Sequence, residues 1–485
     1  MNPYRTASAA LALFALGAAT PPAAGEPAPR TNPAFADVFV TAAGSPVAGL
    51  RPADIDVLED GTPVPVTSCV GPAQVRGASA GEIARARQLV VAVFVDDATT
   101  PAERKAAFAK ADTALGEILG TARSRVLIAC GGARVAILQP FTGDAGRLGR
   151  ALEAVQAAGA GDAGNAGTQP GSGGAATTTA GTLMQSLGSL PGRKAFVYVG
   201  GRGPAPAAGS SPADRSGLLR TLADEANAAG VTLYTIDVAG DGPPSGAPGA
   251  ETRASGGPPA PVMAAESAAA ATGGLAVTEG ADGGDALVQV VRDFKSAWSV
   301  GFSPSSRGDG GLHRLTIRVK REGVSVRTRA AFVDLGEDQR MAERTPAALL
   351  LGFGDNPLGI QLSVTGEHKP KEAAQLLTVL VTIPLGSLAF EAKGVSHDCD
   401  VSLWIAARDA GGQVVRGAKA RFPVSVPNDR LLTALSQTAG YTFRVPLSAG
   451  PSAVAVTARD EIGEQTSTTV VAVAPATGTT PGVTP

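Results

Sequence analysis

Two adjacent acids and two hydroxyls in one short segment are the residues of this sequence best suited to chemistry. Asp96 and Asp97 directly follow an apolar run, Leu89 to Val95, and Thr99 and Thr100 come just after them. Carboxylate and hydroxyl oxygens are hard ligands of the type that Mg²⁺ prefers. A pair of acids can also catalyse hydrolysis, provided that burial or a neighbouring charge raises the pKa of one of them. The segment therefore indicates a site of chemistry or of recognition.

The residues around these acids predict a strand, a turn and a helix. Leu89–Val95 is uninterrupted and contains four valines, which is typical of a strand buried on both faces. Thr100 and Glu103 have the spacing of a capping box, and Pro101 suits the first turn of a helix. Apolar residues at helical spacing over 108–118 predict that this helix continues. In an open parallel sheet, ligands bind beyond the carboxyl ends of the strands, where the two acids would lie.

The composition favours a folded protein with long loops and argues against several partners. The chain has 485 residues, enough for about three domains, of which 44% are apolar and 17% charged. The net charge of −2 and the lack of a long basic cluster argue against nucleic acid as a partner. Aromatic residues make up 4%, which argues against stacking platforms for sugars or bases. Nucleic acids and stacked sugars or bases are therefore not the expected partners.

The motifs of common enzymes are missing from the sequence. Cys69, Cys130 and Cys399 show no metal-ligand spacing and are expected to be free buried thiols, with a bridge from Cys69 to either of the others as the alternative. We find no nucleophilic Ser elbow, no HExxH helix, no Walker loop and no Cys–His pair in a supporting context. The sequence therefore predicts a protein that is not an enzyme.

The first residues are typical of an export signal. One positive charge in 1–5 is followed by an apolar run over 7–19, and small residues around Ala19 and Ala24 suit cleavage. The run is too short to span a bilayer, and no later stretch is long and apolar enough to do so. We expect an exported protein, periplasmic or extracellular, with no membrane span.

The order of the patterns predicts an α/β domain between two β regions. Strands alternating with helices favour a doubly wound, mainly parallel, Rossmann-like sheet. Short strands at regular spacing near the C-terminus favour an Ig-like β-sandwich. The predicted segments are a signal peptide at 1–24, a small N-terminal β module at 31–80, the α/β domain at 87–297, a β appendage at 298–333, a linker at 334–370, the sandwich at 371–474 and a disordered tail at 475–485.

Phrases along the chain resemble the bacterial exported proteins related to von Willebrand factor type A (VWA). They include VLEDGTPVPV, LPGRKAFVYV, ANAAGVTLYTIDV and ATGGLAV, followed by FKSAWSVGFSPSSRGDGG and YTFRVPLSAGPSAVAVTARDEIGE. The resemblance spans residues 35 to about 475. It depends on the order of these phrases, since none of them is decisive alone.

The resemblance implies a metal-dependent adhesion site in a degenerate form. VWA domains bind a divalent cation through an Asp-x-Ser-x-Ser turn, a Thr of a second loop and a later Asp, and an acidic group of the partner protein completes the shell. Asp96 and Thr100 match the turn, and the second-loop Thr falls at Thr178 or at either neighbouring threonine. Ala98 replaces a ligating Ser, and Gly201 stands where the later Asp is expected. The resemblance thus implies no firm cofactor and weak Mg²⁺ binding at most.

The remaining candidates would belong to loops that face a protein partner. Those residues are Asp97, Thr99, Arg202 and Asp237. Each candidate also has a plain structural interpretation: Thr100 and Thr178 as helix caps, Asp96 and Asp97 as solvated acids at a strand end, and Asp237 as an acid that bonds the next loop. The functions in view are a secreted adhesion or scaffold protein, a structural component of the envelope or extracellular matrix and, remotely, a hydrolase with an unrecognised site.

Overall fold

A computed structural model describes most of the chain. The described residues are 33–72, 75–76, 78–97, 99–120, 123–131, 135–157, 173–200, 212–238, 260–278, 286–368, 374–409, 413–417, 419–448 and 452–473. The predicted signal peptide and the predicted tail lie outside these ranges. Among the helices within them, none has the length and apolar character needed to cross a membrane.

The first half of the chain contains a β region and an α/β region. The β region consists of β1 (Ala34–Ala42), β2 (Ser45–Pro46), β3 (Ile55–Glu59), β4 (Thr62–Val64), β5 (Val66–Val70), β6 (Val75–Arg76) and helix α1 (Ala80–Arg87). The α/β region consists of β7 (Leu89–Asp96), α2 (Pro101–Ala107), α3 (Ala111–Leu119), β8 (Arg125–Gly131), β9 (Val135–Thr142), α4 (Ala145–Ala157), α5 (Gly173–Gly188), β10 (Arg193–Gly200), α6 (Pro212–Ala229), β11 (Thr232–Asp237), α7 (Ala260–Ala271), β12 (Ala276–Thr278) and α8 (Ala286–Ser296).

The second half is mostly strand. It begins with β13 (Trp298–Phe302), β14 (Asp309–Val319), β15 (Val324–Thr328), β16 (Ala331–Leu335) and helix α9 (Glu337–Leu351). The last elements are β17 (Gln361–His368), β18 (Ala374–Pro384), β19 (Glu391–Lys393), β20 (Ser396–Arg408), β21 (Val414–Arg416), β22 (Ala420–Pro427), α10 (Leu431–Ala434), β23 (Thr438–Ser448), β24 (Ser452–Asp460) and β25 (Thr466–Val473).

The α/β region is a doubly wound sheet with β7 near its centre. Its strand order is β12-β11-β10-β7-β8-β9, and all neighbours are parallel except β9, which runs antiparallel to β8. Counted within this region the order is 6-5-4-1-2-3, the order of doubly wound folds. All eight residues of β7 are buried, with Val91, Val93 and Val95 in one core and Val90 and Phe94 in the other. The predicted fold class of this region is confirmed.

The helix predicted after the acidic turn is broken into two. α2 ends at Ala107, and α3 begins at Ala111 after a turn over 108–110. Phe108 and Ala111 both lie in the buried cluster on one face of the sheet. The apolar spacing continues across the break because both segments pack on the same core, so the sequence alone suggested one continuous helix.

The N-terminal strands pair with strands from residues 298–333. The sequence pattern instead predicts that residues 298–333 form a separate β appendage. β1 lies between β13 and β15, and β3 pairs with β14, all antiparallel. Their buried side chains form one cluster that includes Val38, Val57, Trp298 and Ile317. Asp60 and Gly61, a residue pair typical of hairpin turns, join β3 to β4 and have φ values of +48° and +88°. A positive φ at both positions is the requirement of this turn type.

The linker predicted over 334–370 is wrong, because it contains α9 and the start of β17. Met341, Arg344, Thr345 and Ala348 are buried on α9, which packs between α5 of the α/β region and strands β20 and β24. A buried Arg and a buried Thr on the inner face, together with Pro346 inside the helix, weaken the apolar period from which helices are recognised. The helix ends at Gly352, which has φ +63°.

Two antiparallel sheets form the C-terminal region. One has the order β17-β18-β23, and the other has the order β19-β20-β24-β25 with β21 and β22 also paired to β20. Both sheets contribute to one buried cluster, which includes Val379 and Val445 from the first sheet and Leu403 and Val456 from the second. This region therefore begins at Gln361 rather than at the predicted residue 371.

Candidate functional site

The acids singled out in the sequence lie at the carboxyl ends of parallel strands. Asp96 is the last residue of β7, Gly200 is the last of β10, and Asp237 is the last of β11. Gly200 is in register with Asp237, and the preceding residue of β10 is opposite the residue before Asp96. The two acids therefore flank Gly200 in one row, at the edge of the sheet where ligands of such folds bind.

Asp96 is a buried carboxylate with a partner on the neighbouring strand. Its exposed fraction is 3%, so the interpretation of Asp96 as a solvated acid is wrong. The hydroxyl of Tyr198 donates a hydrogen bond to Asp96 Oδ2. The ring of Tyr198 stacks on Phe94 with 5.7 Å between centroids, which fixes the direction of its hydroxyl. A Cβ at Gly200 would approach the Tyr198 ring to 2.6 Å, so glycine at this position permits the pairing.

A buried arginine fastens the turn that follows Asp96. The Thr99 hydroxyl donates to the backbone oxygen of Asp96 at 2.6 Å. Arg104, from α2, donates from Nε to Thr99 Oγ1 at 2.9 Å and from Nη2 to the backbone oxygen of Asp97 at 3.2 Å. Its Nη1 reaches the backbone oxygen of Val155 at 3.3 Å. Arg104 thus joins the turn to α2 and α4.

Thr100 acts as a helix cap in the structure. Its hydroxyl accepts a hydrogen bond from the backbone N–H of Glu103 at 3.3 Å, and its own N–H donates to Glu103 Oε2 at 2.6 Å. This reciprocal pair is the capping box that the sequence predicts. The Asp97 N–H donates to the backbone oxygen of Gly131 at 3.2 Å, and the Asp97 side chain is partly exposed.

The other predicted site residues are not brought together by the described structure. Thr178 lies inside α5, which begins at Gly173, so the interpretation of Thr178 as a helix cap is wrong. The structure does not describe the side chain of Thr178. Three further predicted positions lie outside the described residues, namely Ala98, Gly201 and Arg202. In the ranges that the structure covers, no three His, Cys, Asp or Glu side chains are grouped as a metal site would require.

The cysteine near this turn, Cys130, is buried, and its surroundings favour the protonated thiol. Burial raises the pKa of the Cys130 thiol to about 11, and the carboxylate of Asp97 adds to the shift while Arg104 opposes it. Burial also raises the pKa values of Cys69 and Cys399 to about 12. All three thiols are buried and free, in agreement with the prediction of free buried thiols rather than of a bridge from Cys69. A thiol that stays protonated is neither a good nucleophile nor a good metal ligand.

Sequence reasoning missed the two residues that organise this site, Tyr198 and Arg104. A Tyr inside a buried apolar run signals a hidden partner, because a buried phenol needs a hydrogen bond. An Arg on the buried side of an amphipathic helix carries a similar signal. Neither signal identifies the partner, which comes from another element in each case.

The chain matches no protein-family model and no curated protein. Solved structures similar to it include a von Willebrand factor type A protein from Catenulispora acidiphila, with 10% identity, 92% of this chain and 73% of the other covered, and a TM-score of 0.26. An aerotolerance-related membrane protein from Bacteroides fragilis shares 16% identity, with coverages of 42% and 98% and a TM-score of 0.28. The von Willebrand factor domain of a type V pilus tip protein from Porphyromonas gingivalis shares 16% identity, with coverages of 23% and 37% and a TM-score of 0.17.

Von Willebrand factor type A proteins are thus among the structures that this chain is similar to, as its sequence phrases predict. Since the identities are 10–16%, we take the fold class from the molecule itself. Five parallel strands in doubly wound order, an antiparallel edge strand and helices on both faces define a doubly wound α/β domain.

Proposed function

We propose that this chain is an exported, non-enzymatic protein of the adhesion or scaffold type, which binds a protein partner through its VWA-type domain. The observation that carries the proposal is the turn held by Arg104 at the carboxyl edge of the sheet. A surface fixed before binding loses little entropy when a partner docks on it. Asp97 projects from this turn as a partly exposed acid and is the first candidate for a partner contact.

Binding without a tightly held metal is part of this proposal. Asp96 accepts a hydrogen bond from Tyr198, and the Thr100 hydroxyl is engaged as a cap. The sequence offers Ala98 and Gly201 where ligands are expected. Mg²⁺ requires near-octahedral oxygen ligands and releases its water reluctantly, so these residues do not fit a high-affinity site. Recognition would then depend on shape and hydrogen bonding.

Export and the role of the β regions complete the proposal. The charged start, the apolar run over 7–19 and the small residues after it support secretion. We assign the two C-terminal sheets to an Ig-like sandwich that acts as a spacer or as a second docking surface. Their shared buried cluster supports this assignment.

A structural role in the envelope is the second candidate, and the packing of α9 favours it. The Thr345 hydroxyl donates to Thr457 Oγ1 at 2.9 Å, and Arg459 pairs with Glu337 at 3.2 Å. These contacts tie α9 to the C-terminal strands, while its other side packs on α5. A chain whose regions are fastened in this way suits a load-bearing component.

A pull-down from the native envelope fraction with the purified chain as bait separates the two roles. The adhesion role predicts one dominant stoichiometric partner, whose capture falls at least about tenfold with Asp97→Arg because a wrong-sign charge at an interface opposes docking. Asp429→Arg, an exposed acid on the C-terminal region, is the matched control and should leave capture unchanged. Equal capture by both variants would contradict binding through the turn. Sedimentation with the insoluble envelope regardless of either variant would favour the structural role.

A further inference from the structure

A large groove lies at the amino-terminal edge of the α/β sheet, away from the acidic turn. Its volume is about 1540 Å³, and it is lined by the first residues of β10 and β11, by β1 and α9, and by the ends of β20 and β24. Three parts of the chain therefore meet around one space. The proposed partner-binding turn, at the other ends of the strands, does not use it.

Two buried cations of this groove have no carboxylate partner among the described residues. Arg344, on α9, has an exposed fraction of 5%, and its Nε atom has no hydrogen-bond partner. Lys194, at the start of β10, is also 5% exposed, and its Nζ donates only to the backbone oxygens of Leu190 and Gly188, at 3.2 and 3.4 Å. Buried charges of this kind are normally paired.

Two further arginines add positive charge beside Lys194. Arg85 lies over the ring of Phe35 at 4.4 Å, and Arg329 donates to the backbone oxygen of Phe35 while its Nε atom has no partner. Burial, followed by the charges of Arg85 and Arg329, holds the pKa of Lys194 well below its ordinary value. Burial likewise lowers the pKa of Arg344 to about 10, although Asp355 and Glu337 oppose the shift. The charges of Lys194, Arg85 and Arg329 thus repel one another.

Five of the six acidic side chains that line the groove have an ion pair or a hydrogen bond with a named residue. These pairs are Asp37 with Arg193 at 2.6 Å, Glu343 with Arg416 at 2.7 Å, Glu337 with Arg459 at 3.2 Å, Asp334 with Ser306 at 2.7 Å and Glu82 with Ser68 at 2.8 Å. The lining holds nine Lys and Arg side chains against six Asp and Glu side chains, so positive charge is in excess. An excess of buried charge destabilises a fold, and a bound anion would offset it.

We propose that this groove binds a small anion with two or more oxyanion groups, one held by Arg344 and another by Lys194 with Arg329 beside it. A guanidinium matches the two oxygens of a phosphate or a carboxylate, and an ammonium group adds a point charge. The volume exceeds the needs of a single oxyanion, which favours a ligand with several such groups. Polyphosphates and polycarboxylates share this chemistry. The proposal does not depend on the partner-binding role.

Calorimetric titration and thermal unfolding of the full chain test the proposal, with tripolyphosphate and citrate as probes at ionic strength matched with NaCl. We expect saturable binding of at least one probe and a melting temperature that rises with its concentration. The probe that binds more tightly identifies the ligand as phosphate-bearing or carboxylate-bearing. Arg344→Gln and Lys194→Met should each weaken binding at least about tenfold, since each removes a charge-assisted hydrogen bond to the probe.

The matched control is Arg416→Gln, because Arg416 lines the same groove but is exposed and paired with Glu343. It should change the affinity by less than about twofold, as is typical of exposed ion pairs. Without a probe, Arg344→Gln should unfold at the same temperature as the wild type or higher, because it removes a buried charge that has no ion pair in the described chain. Lack of saturable binding, or equal losses in Arg416→Gln and Arg344→Gln, would overturn the proposal. So would a less stable Arg344→Gln chain that binds the probes as well as the wild type does.

Discussion

The hydroxyl of Tyr198 donates a hydrogen bond to the carboxylate of Asp96, from one central strand of the sheet to the next. The Asp96 carboxylate, which a metal ion would need as a ligand, is thereby engaged inside the buried core. It also keeps β7 and β10 in register at the ends from which the turn and the following loop leave. The strand ends that support the site are therefore fixed relative to each other, and recognition can depend on this arrangement.

Removing this hydroxyl should destabilise the protein and leave its fold unchanged. Tyr198→Phe deprives the buried Asp96 carboxylate of one donor, and we expect the free energy of unfolding to fall by about 1–3 kcal/mol. Urea unfolding followed by circular dichroism measures the change. Tyr441→Phe is the control, since the Tyr441 ring contacts Phe443 and no hydrogen bond of its hydroxyl is found in the described chain. Equal effects of the two substitutions would show that the hydrogen bond contributes nothing specific.

Stability should depend on the protonation of His313. Hydrogen bonds to Asp60 at 2.8 Å and to Asp309 at 3.1 Å raise the pKa of His313 from 6.5 to about 8. A raised pKa means that the folded state binds the proton more tightly, so the contribution is complete below pH 6.5 and is lost as the pH rises through 8. We expect a loss of about 1 kcal/mol, because both carboxylates are about half exposed and solvent screens them.

Urea unfolding at pH 6 and pH 9 tests this dependence. His313→Gln should lose less stability than the wild type between the two values, by the same amount of about 1 kcal/mol. His397→Gln is the matched control, because the His397 ring bonds the neutral amide of Asn428 at 2.9 Å. A wild-type chain and a His313→Gln chain with the same pH dependence would disprove the role of this histidine.

The wild-type protein should bind Mg²⁺ no more tightly than millimolar. At 1 mM Mg²⁺ the gain in stability should then be under about 0.4 kcal/mol, since it follows RT ln(1 + [L]/Kd). Chelation should leave the melting temperature unchanged. The double substitution Ala98→Ser with Gly201→Asp restores a hydroxyl and a carboxylate and should produce stabilisation that depends on Mg²⁺. Thermal melts of both proteins measure this, with the single Ala98→Ser variant as control, and a clear wild-type response at sub-millimolar Mg²⁺ would contradict the prediction.

Sequence reasoning located much of this architecture because the relevant signals are local. The valine-rich run over 89–95, the Thr100–Glu103 capping box and the Asp60-Gly61 turn each depend on residues close together in the chain. Periodicity predicts which side of an element is buried, and the alternation of strands and helices then predicts a doubly wound sheet. The position of Asp96 at the edge of that sheet follows from the same pattern.

Only the tertiary structure decided what lies opposite each buried face. The Tyr198–Asp96 bond joins residues 102 positions apart, and β1 pairs with β13 from the other side of the α/β region. Helix α9 is not predicted from the sequence because Arg344 and Thr345 occupy its inner face, where apolar residues are expected. Arg344 and Lys194 line one groove because α9 and the start of β10 border the same space. Nothing in the sequence of either segment indicates that the other lies near it. A local sequence pattern indicates whether a side chain will be buried or exposed. Which residue packs against it is decided only when distant segments of the chain pack together.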